Sequence, residues 1–292
     1  MTISIIVTNW NGLKLLQKNF ETIVRHSTLS SEIIFADDAS TDDSLRYIYQ
    51  LQKIYPQIKV IARRHNLGFG ENTNQAVSTA KGELLVLLNN DIQVYPGYLD
   101  AALPYFTNPK IFGVGLCEVN RPNWGKFFWQ DGYLQYQAGQ PTTTGHISGW
   151  LSGGSSIIRK DYFQKLGGFD PVYAPFYSED LDLGYRAWKS GFDIYWEPKC
   201  KIEHKHESTI SRFPKRFLDY VKERNRLLTV WRNITDPHLL KANKFALLNR
   251  VLWGPNYIKI ILAARRQVKK FPPPIVYPTR TDQDIFNLFS GT

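Results

Sequence analysis

The first hundred residues alternate short apolar runs with longer segments of helical spacing. That alternation constrains the fold more than any other feature, because it is the pattern of a mainly parallel sheet whose strands are joined by crossover helices. Strands are expected at Ile3 to Thr8, Glu32 to Ala36, Lys59 to Ala62 and Glu83 to Leu88. Leu16, Phe20, Ile23 and Val24 share one helical face in Leu13 to Val24, and Asp42 to Ile54 follows Ser40 or Thr41 as an expected N-cap. A third helix, Glu71 to Ala80, stops at Lys81-Gly82, where the glycine suits a left-handed cap.

The polar residues follow the strands. Asn9 to Gly12, Asp37-Asp38 and Asn89 to Asp91 all lie just past a strand's C-terminal end, the edge at which open α/β sheets bind ligands. Farther on, strands are expected at Ile111 to Leu116, Ser155 to Ile158 and Phe192 to Trp196, with a helix after Ser178. Phe213, Phe217, Tyr220, Val221, Leu227, Leu228 and Trp231 give a docking helix one apolar face. Beyond it, Pro272-Pro273-Pro274 and a polar end predict an extended tail.

The chain has 292 residues, enough to bury a full core. Its two cysteines, Cys117 and Cys200, match neither a disulfide framework nor a clustered metal spacing, so a reducing, cytoplasmic setting is the simplest reading. The start is too short and too poor in basic residues for a signal peptide. Residues 1 to 200 hold 18 Lys and Arg against 19 Asp and Glu, whereas residues 201 to 292 hold 18 against 7. A basic end of this kind suits nucleic acid, anionic lipid or an acidic substrate. Tyr257 to Lys270 sets Ile258, Ile261, Leu262 and Val268 apart from Lys259, Arg266 and Lys270. That is the pattern of a basic amphipathic helix on an anionic membrane face, and it argues against nucleic acid, which has no use for the apolar stripe. The same stripe could equally pack on the rest of the chain.

Four constellations can carry chemistry. Capping explains Ser40, Thr41 and Asp42, but the adjacent Asp37 and Asp38 repel, and a ligand donor such as a nucleobase imide would relieve them. Leu87-Leu88-Asn89-Asn90-Asp91 runs an apolar strand into two amides and a carboxylate, which is either turn chemistry or an oxygen site for Mg²⁺ or Mn²⁺. Ser178-Glu179-Asp180-Leu181-Asp182 suits a helix start or a catalytic acid in a sugar-sized pocket. In Glu203-His204-Lys205-His206, two alternating histidines share a side, which is either a structural arrangement or a metal contact.

Taken in order, these residues resemble family 2 of the glycosyltransferases, especially its non-processive, rhamnosyltransferase-like members. The resemblance covers about residues 1 to 230. It rests on Val7 to Gly12, Ala36 to Asp42, Asn66-Leu67-Gly68-Phe69-Gly70 with Asn74, Leu88 to Asp91, Gly153-Gly154, Gly167 to Asp170 and Glu179 to Leu183. It implies a GT-A, Rossmann-like α/β fold spanning 1 to 212, with a donor half over 1 to 106 and an acceptor half over 107 to 212. A basic helical extension would follow over 213 to 292. It implies that Thr8 and Asp37 border a nucleoside, with Asp38 as partner, and that Asn9, Arg63, Asn66, Gly68, Asn74, Asn89, Asn90, Gly153 and Gly154 contact the donor. Asp91 closes the family's Asp-x-Asp metal motif, Asn89 standing where the first aspartate would be. The resemblance further implies that His204, rather than His206, is the second ligand and that Asp180 is the acceptor base with Glu179 beside it.

The implied activity is inverting, Mn²⁺- or Mg²⁺-dependent transfer of one hexosyl or rhamnosyl unit from a nucleoside diphosphate sugar to a glycan or lipid-linked acceptor. Neither the Gln-x-x-Arg-Trp motif nor the membrane helices of the family's processive synthases are present. The other readings are a two-carboxylate hydrolase, a nucleotidyltransferase, and a non-catalytic glycan-binding protein using Trp124, Trp129 and Trp150 as platforms. No nucleotidyltransferase phosphate loop is found, and intact Asp91 and Asp180 speak against a purely binding role.

Overall fold

The computed structural model describes residues 1–205 and 213–291. Its first part is the expected alternation: β1 (Ile3–Asn9), α1 (Leu13–His26), β2 (Glu32–Asp37), α2 (Ser44–Ile54), β3 (Ile58–Ala62), α3 (Phe69–Thr79) and β4 (Leu84–Asn89). The four strands pair in parallel in the order β3-β2-β1-β4. Ile5 and Val7 of β1 pack with Leu16 and Phe20 of α1, while Ile6 packs with Ala76 and Val77 of α3 on the opposite face. Burial on both faces explains why β1 reads as an unbroken apolar run rather than an alternating one. The registers Thr8 with Asn89 and Asn9 with Asp37 bring three polar strand ends together at one edge.

Beyond β4 antiparallel strands join the expected mainly parallel sheet. The chain continues through β5 (Ile92–Val94), β6 (Ile111–Glu118), β7 (Gly125–Gln130), β8 (Tyr133–Ala138), β9 (His146–Ile147), β10 (Ser155–Arg159), α4 (Lys160–Lys165), α5 (Glu179–Lys189) and β11 (Asp193–His204). β10 lies antiparallel between β4 and β6; β11 runs parallel to β6 and antiparallel to β5. The pair β7 and β8 is a separate hairpin turned at Asp131-Gly132, both residues being left-handed as a two-residue turn of this type requires.

The C-terminal part forms α6 (Lys215–Asn233), α7 (Pro237–Trp253), α8 (Ile258–Lys270) and α9 (Asp282–Leu288). Leu227, Leu228 and Val230 of α6 and Ile261 and Ala264 of α8 belong to the core cluster that covers one face of the sheet. The stripe expected on α8 is therefore split: Ile261 is buried and Val268 packs on the core, while Ile258 and Leu262 are exposed. No helix among the described residues is long and apolar enough to cross a membrane.

Four local expectations are corrected. Ser40 and Thr41 do not cap α2, which begins after Asp43; Ser40 instead donates to Asp37, and Thr41 to Asn11. Gly82 is not a left-handed cap; its N–H donates to Ser4 Oγ at 2.7 Å, and a Cβ there would stand 2.3 Å from the Ser4 nitrogen. Ser178 precedes α5 in a left-handed conformation and makes no side-chain cap. The chain end is extended only through the prolines. It closes in α9, whose Asp282 pairs with Lys189 at 2.8 Å and accepts from Tyr185.

Candidate active site

The strand-end loops form one rim of a cavity of about 310 Å³. Thr8, Asn9, Asp38, Asn66, Gly68, Asn89, Asn90 and Asp91 line it, as does Trp10. Amides knit this rim together: Asn90 Nδ2 donates to Asn9 Oδ1 at 2.7 Å, and Asn9 Nδ2 donates to Asp37 Oδ1 at 2.9 Å. Donors within the protein meet both Asp37 and Asp38, although the Asp37 charge still helps raise the Asp38 pKa. Asp37 is fully buried and takes hydrogen bonds from the Ser40 amide and hydroxyl. Asp38 accepts from the Leu67 and Gly68 amides at 2.7 and 2.9 Å. Burial raises the Asp38 pKa and those two N–H groups oppose the rise.

Asp38, not Asp37, therefore lines the cavity, with Asn66 donating to its backbone carbonyl. Asn74 also lies off the cavity: it clamps both the N–H and the C=O of Phe169. Arg63 stands behind the rim, where its Nε reaches Asn72 Oδ1 at 3.5 Å and its Nη2 is buried with no hydrogen-bond partner among the described residues. Asn72 itself is a lining residue that the sequence reading missed.

At the end of β4, Asp91 is 4% exposed, and its Oδ1 faces the His204 ring. It stands 3.0 Å from His204 Nε2, and the other ring nitrogen, Nδ1, meets Glu118 Oε1 at 2.9 Å. Burial disfavours charge on the ring, but the two carboxylates more than offset this and push the His204 pKa up to about 9. A buried carboxylate paired with an imidazole that a second carboxylate orients fits a divalent ion once the ring gives up its proton; metal-bound histidines are commonly held this way. Among the described residues no group of three or more such ligands closes a cage, so an ion here would complete its shell with a ligand's oxygens or water. His206 lies outside the described residues.

The opposite wall is the loop leading into α5. Pro175, Phe176, Tyr177, Glu179 and Asp180 line the cavity together with Ser152, Gly153 and Gly154. Tyr177 and Ser178 both have φ of 73°, a left-handed conformation that costs non-glycine residues about 1–3 kcal/mol each. Helix α6 holds them there. Asn225 Nδ2 donates to the carbonyls of Tyr173, Phe176 and Tyr177 at 3.1, 2.9 and 2.7 Å, and Arg224 Nη2 donates to Ala174 at 2.5 Å. Deeper down, Asp182 anchors α5 to α6 by accepting from Tyr173 and Asn233.

Asp180 accepts from the Leu181 amide at 2.8 Å and from the Gly153 amide. Burial raises its pKa, and those amides hold the rise back. Glu179 is raised by burial and by the neighbouring Asp180 carboxylate, and its Oε2 is buried with no hydrogen-bond partner among the described residues. A carboxyl held above its usual range and facing a cavity can take a proton near neutral pH. The two walls touch at Gly68: its φ is 81°, and a Cβ there would come 3.1 Å from the Pro175 carbonyl oxygen, so glycine fits both the conformation and the contact.

Arg224 and Asn225 were missed as site residues. Their signal was two polar residues on the apolar face of the docking helix, between Val221 and Leu228, where buried polar groups need partners. The tryptophans expected as sugar platforms are absent from this cavity; Trp124 is buried and stacks on His146 at 4.0 Å.

Known proteins resemble this chain in fold and sequence. The N-acetylglucosaminyl-diphospho-decaprenol L-rhamnosyltransferase of Mycobacterium tuberculosis is 26% identical over 219 residues, which cover 62% of this chain and 69% of that protein. A structure of GalNAc-T7 with UDP, GalNAc and Mn²⁺ superposes with a TM-score of 0.61 at 15% identity, covering 94% of this chain and 58% of that one. A mannosyltransferase of Pyrobaculum calidifontis with GDP-Man and Mn²⁺ gives 0.59 at 15% identity, covering 92% and 74%. These structural likenesses carry the GT-A fold. Residues 4–167, more than half of the chain, match the sequence profile of glycosyl transferase family 2, and the protein belongs to that family.

Proposed function

We propose that the chain transfers one sugar, hexosyl or rhamnosyl, from a nucleoside diphosphate sugar to a hydroxyl of a glycan or lipid-linked acceptor, with inversion at the anomeric carbon. The single observation that carries this reading is that Asp91, paired with His204, and Asp180, a buried carboxyl held by two amides, line one cavity.

The strand-end rim would hold the donor, its base near Thr8, Asp38, Asn66 and Arg63. Asp91 and His204 would hold a Mn²⁺ or Mg²⁺ ion, which when bound supplies positive charge against the departing diphosphate. Asp180 would take the proton from the acceptor oxygen as that oxygen bonds to the anomeric carbon and the bond from that carbon to the diphosphate oxygen breaks. Attack comes from the side opposite the leaving group, so configuration inverts. Glu179 sustains the electrostatic setting of Asp180, and Asn225 and Arg224 hold the loop that aims it.

Family membership and the rhamnosyltransferase relative support a transferase, and the Mn²⁺ complexes of the structural neighbours support an ion at Asp91. The test is incubation with UDP-, dTDP- and GDP-sugars and Mn²⁺, with a thermal-shift panel to choose the donor. Release of a nucleoside diphosphate together with an inverted glycoside supports the reading. Retained configuration, or free sugar formed without a nucleotide donor, overturns it.

A further inference from the structure

We propose that α7 and the start of α8 form a docking ridge for an anionic phospholipid surface. A helix lying on a protein ordinarily turns one apolar face inward and a polar face to water. α7 is apolar on both. Leu247 and Val251 pack on the core, and Asn243 reaches in to donate to the Gly132 carbonyl at 2.7 Å. On the outward side Phe245 is 57% exposed, Leu248 60%, Leu252 76% and Trp253 91%, and Ile258 and Leu262 of α8 extend the same open surface.

Charge selects the occupant. From residue 237 through residue 281 the chain has nine Lys and Arg and no Asp or Glu. Lys241 and Lys244 are exposed on α7, and Lys259, Arg265, Arg266 and Lys270 on α8. Large apolar side chains flanked by cations match the interface of a bilayer carrying negative headgroups, where Trp, Phe and Leu enter the acyl boundary and Lys and Arg meet phosphate. Nucleic acid would meet the same cations but leave the ridge in water. The surface also moves the expected membrane contact from the stripe of α8, which is partly buried, to the open side of α7. Bilayer docking is independent of the sugar chemistry, because pelleting with vesicles reads no turnover.

The test compares the chain with a Leu248→Ser, Leu252→Ser, Trp253→Ser variant in co-sedimentation with phosphatidylglycerol-rich and with pure phosphatidylcholine vesicles, at low and high salt. The chain is expected to pellet with the anionic vesicles, to be released by salt, and to bind the neutral vesicles at least about tenfold more weakly. The variant should lose about tenfold or more in binding, with thermal melting unchanged because all three side chains are already in solvent. A chain that stays in the supernatant, or a variant that pellets as the parent does, overturns the proposal. So does sedimentation velocity showing a dimer that the variant dissolves, which would make a second copy the occupant, or retention by duplex DNA without vesicle binding.

Discussion

Asp38 and Asp180 both present a carboxyl on the cavity wall, yet the chain secures them by opposite means. Asp38 directly follows a buried strand and is tied by two amides about thirty residues away, within the same run of strands and helices. Asp180 follows two left-handed residues, and the carbonyls of its loop are held from α6, nearly fifty residues later. The proposed donor rim is thus a product of the sheet, while the proposed base rim is a strained loop kept in place by one remote helix. Damage to the second should leave the first intact.

The largest expected effect is at the base itself. Asp180→Asn keeps the side-chain shape but cannot take the acceptor proton, so transfer should fall by about 10² to 10⁴ while donor affinity is retained. Single-turnover rates and calorimetry with the donor read the two separately. A near-parental rate would reassign the base.

Next comes Asn225→Ala. It removes the Asn225 donor from three carbonyls, of which Tyr173's keeps Arg224 Nη2 at 3.4 Å, and frees the loop to relax from its left-handed conformation. We expect kcat to fall by roughly ten- to a hundredfold through misplacement of Asp180, with the donor dissociation constant little changed. A merely structural role would instead lower the melting temperature and leave kcat of the folded fraction as it was.

Glu179→Gln should be smallest in rate and most visible in pH. A base works only unprotonated, so carboxyls raised above their usual range make activity fall on acidification at a higher pH than an ordinary carboxylate would. Glu179 is pushed up to about 8, so it is already protonated where Asp180 titrates. The neutral Gln should therefore leave the acidic limb of kcat against pH in place and abolish the change that the parent shows near pH 8 as Glu179 ionises. A limb moved down by about one unit would mean that Glu179 is charged where Asp180 titrates.

Local spacing made one side of this comparison legible and hid the other. The four parallel strands, their helices and the polar strand ends are written in periods of two and 3.6 over adjacent residues. The helix bearing Asp180 was legible for the same reason. What failed depended on distant partners: Ser40 reads as a helix cap until Asp37 claims it, and Asn74 reads as a donor contact until it clamps Phe169. Gly82 likewise reads as a cap until β1 packs against it. The pairing of Asn225 with a loop nearly fifty residues upstream leaves no local pattern beyond a polar residue on an apolar face. The terminal helix did have a local signal, the capping box of Thr281 and Asp284, overshadowed by the three prolines before it.

The central claim is that one cavity has two separable ends, a metal-assisted donor end at Asp91 and a base end at Asp180. Calorimetry with the matching nucleoside diphosphate, in Mn²⁺ and in EDTA, tests it on the parent chain, Asp91→Ala and Asp180→Asn. The account predicts Mn²⁺-dependent binding in the parent and in Asp180→Asn, and only the weak, EDTA-insensitive part in Asp91→Ala. Equal affinity with Mn²⁺ and EDTA in the parent, or loss of binding in Asp180→Asn as deep as in Asp91→Ala, would contradict it.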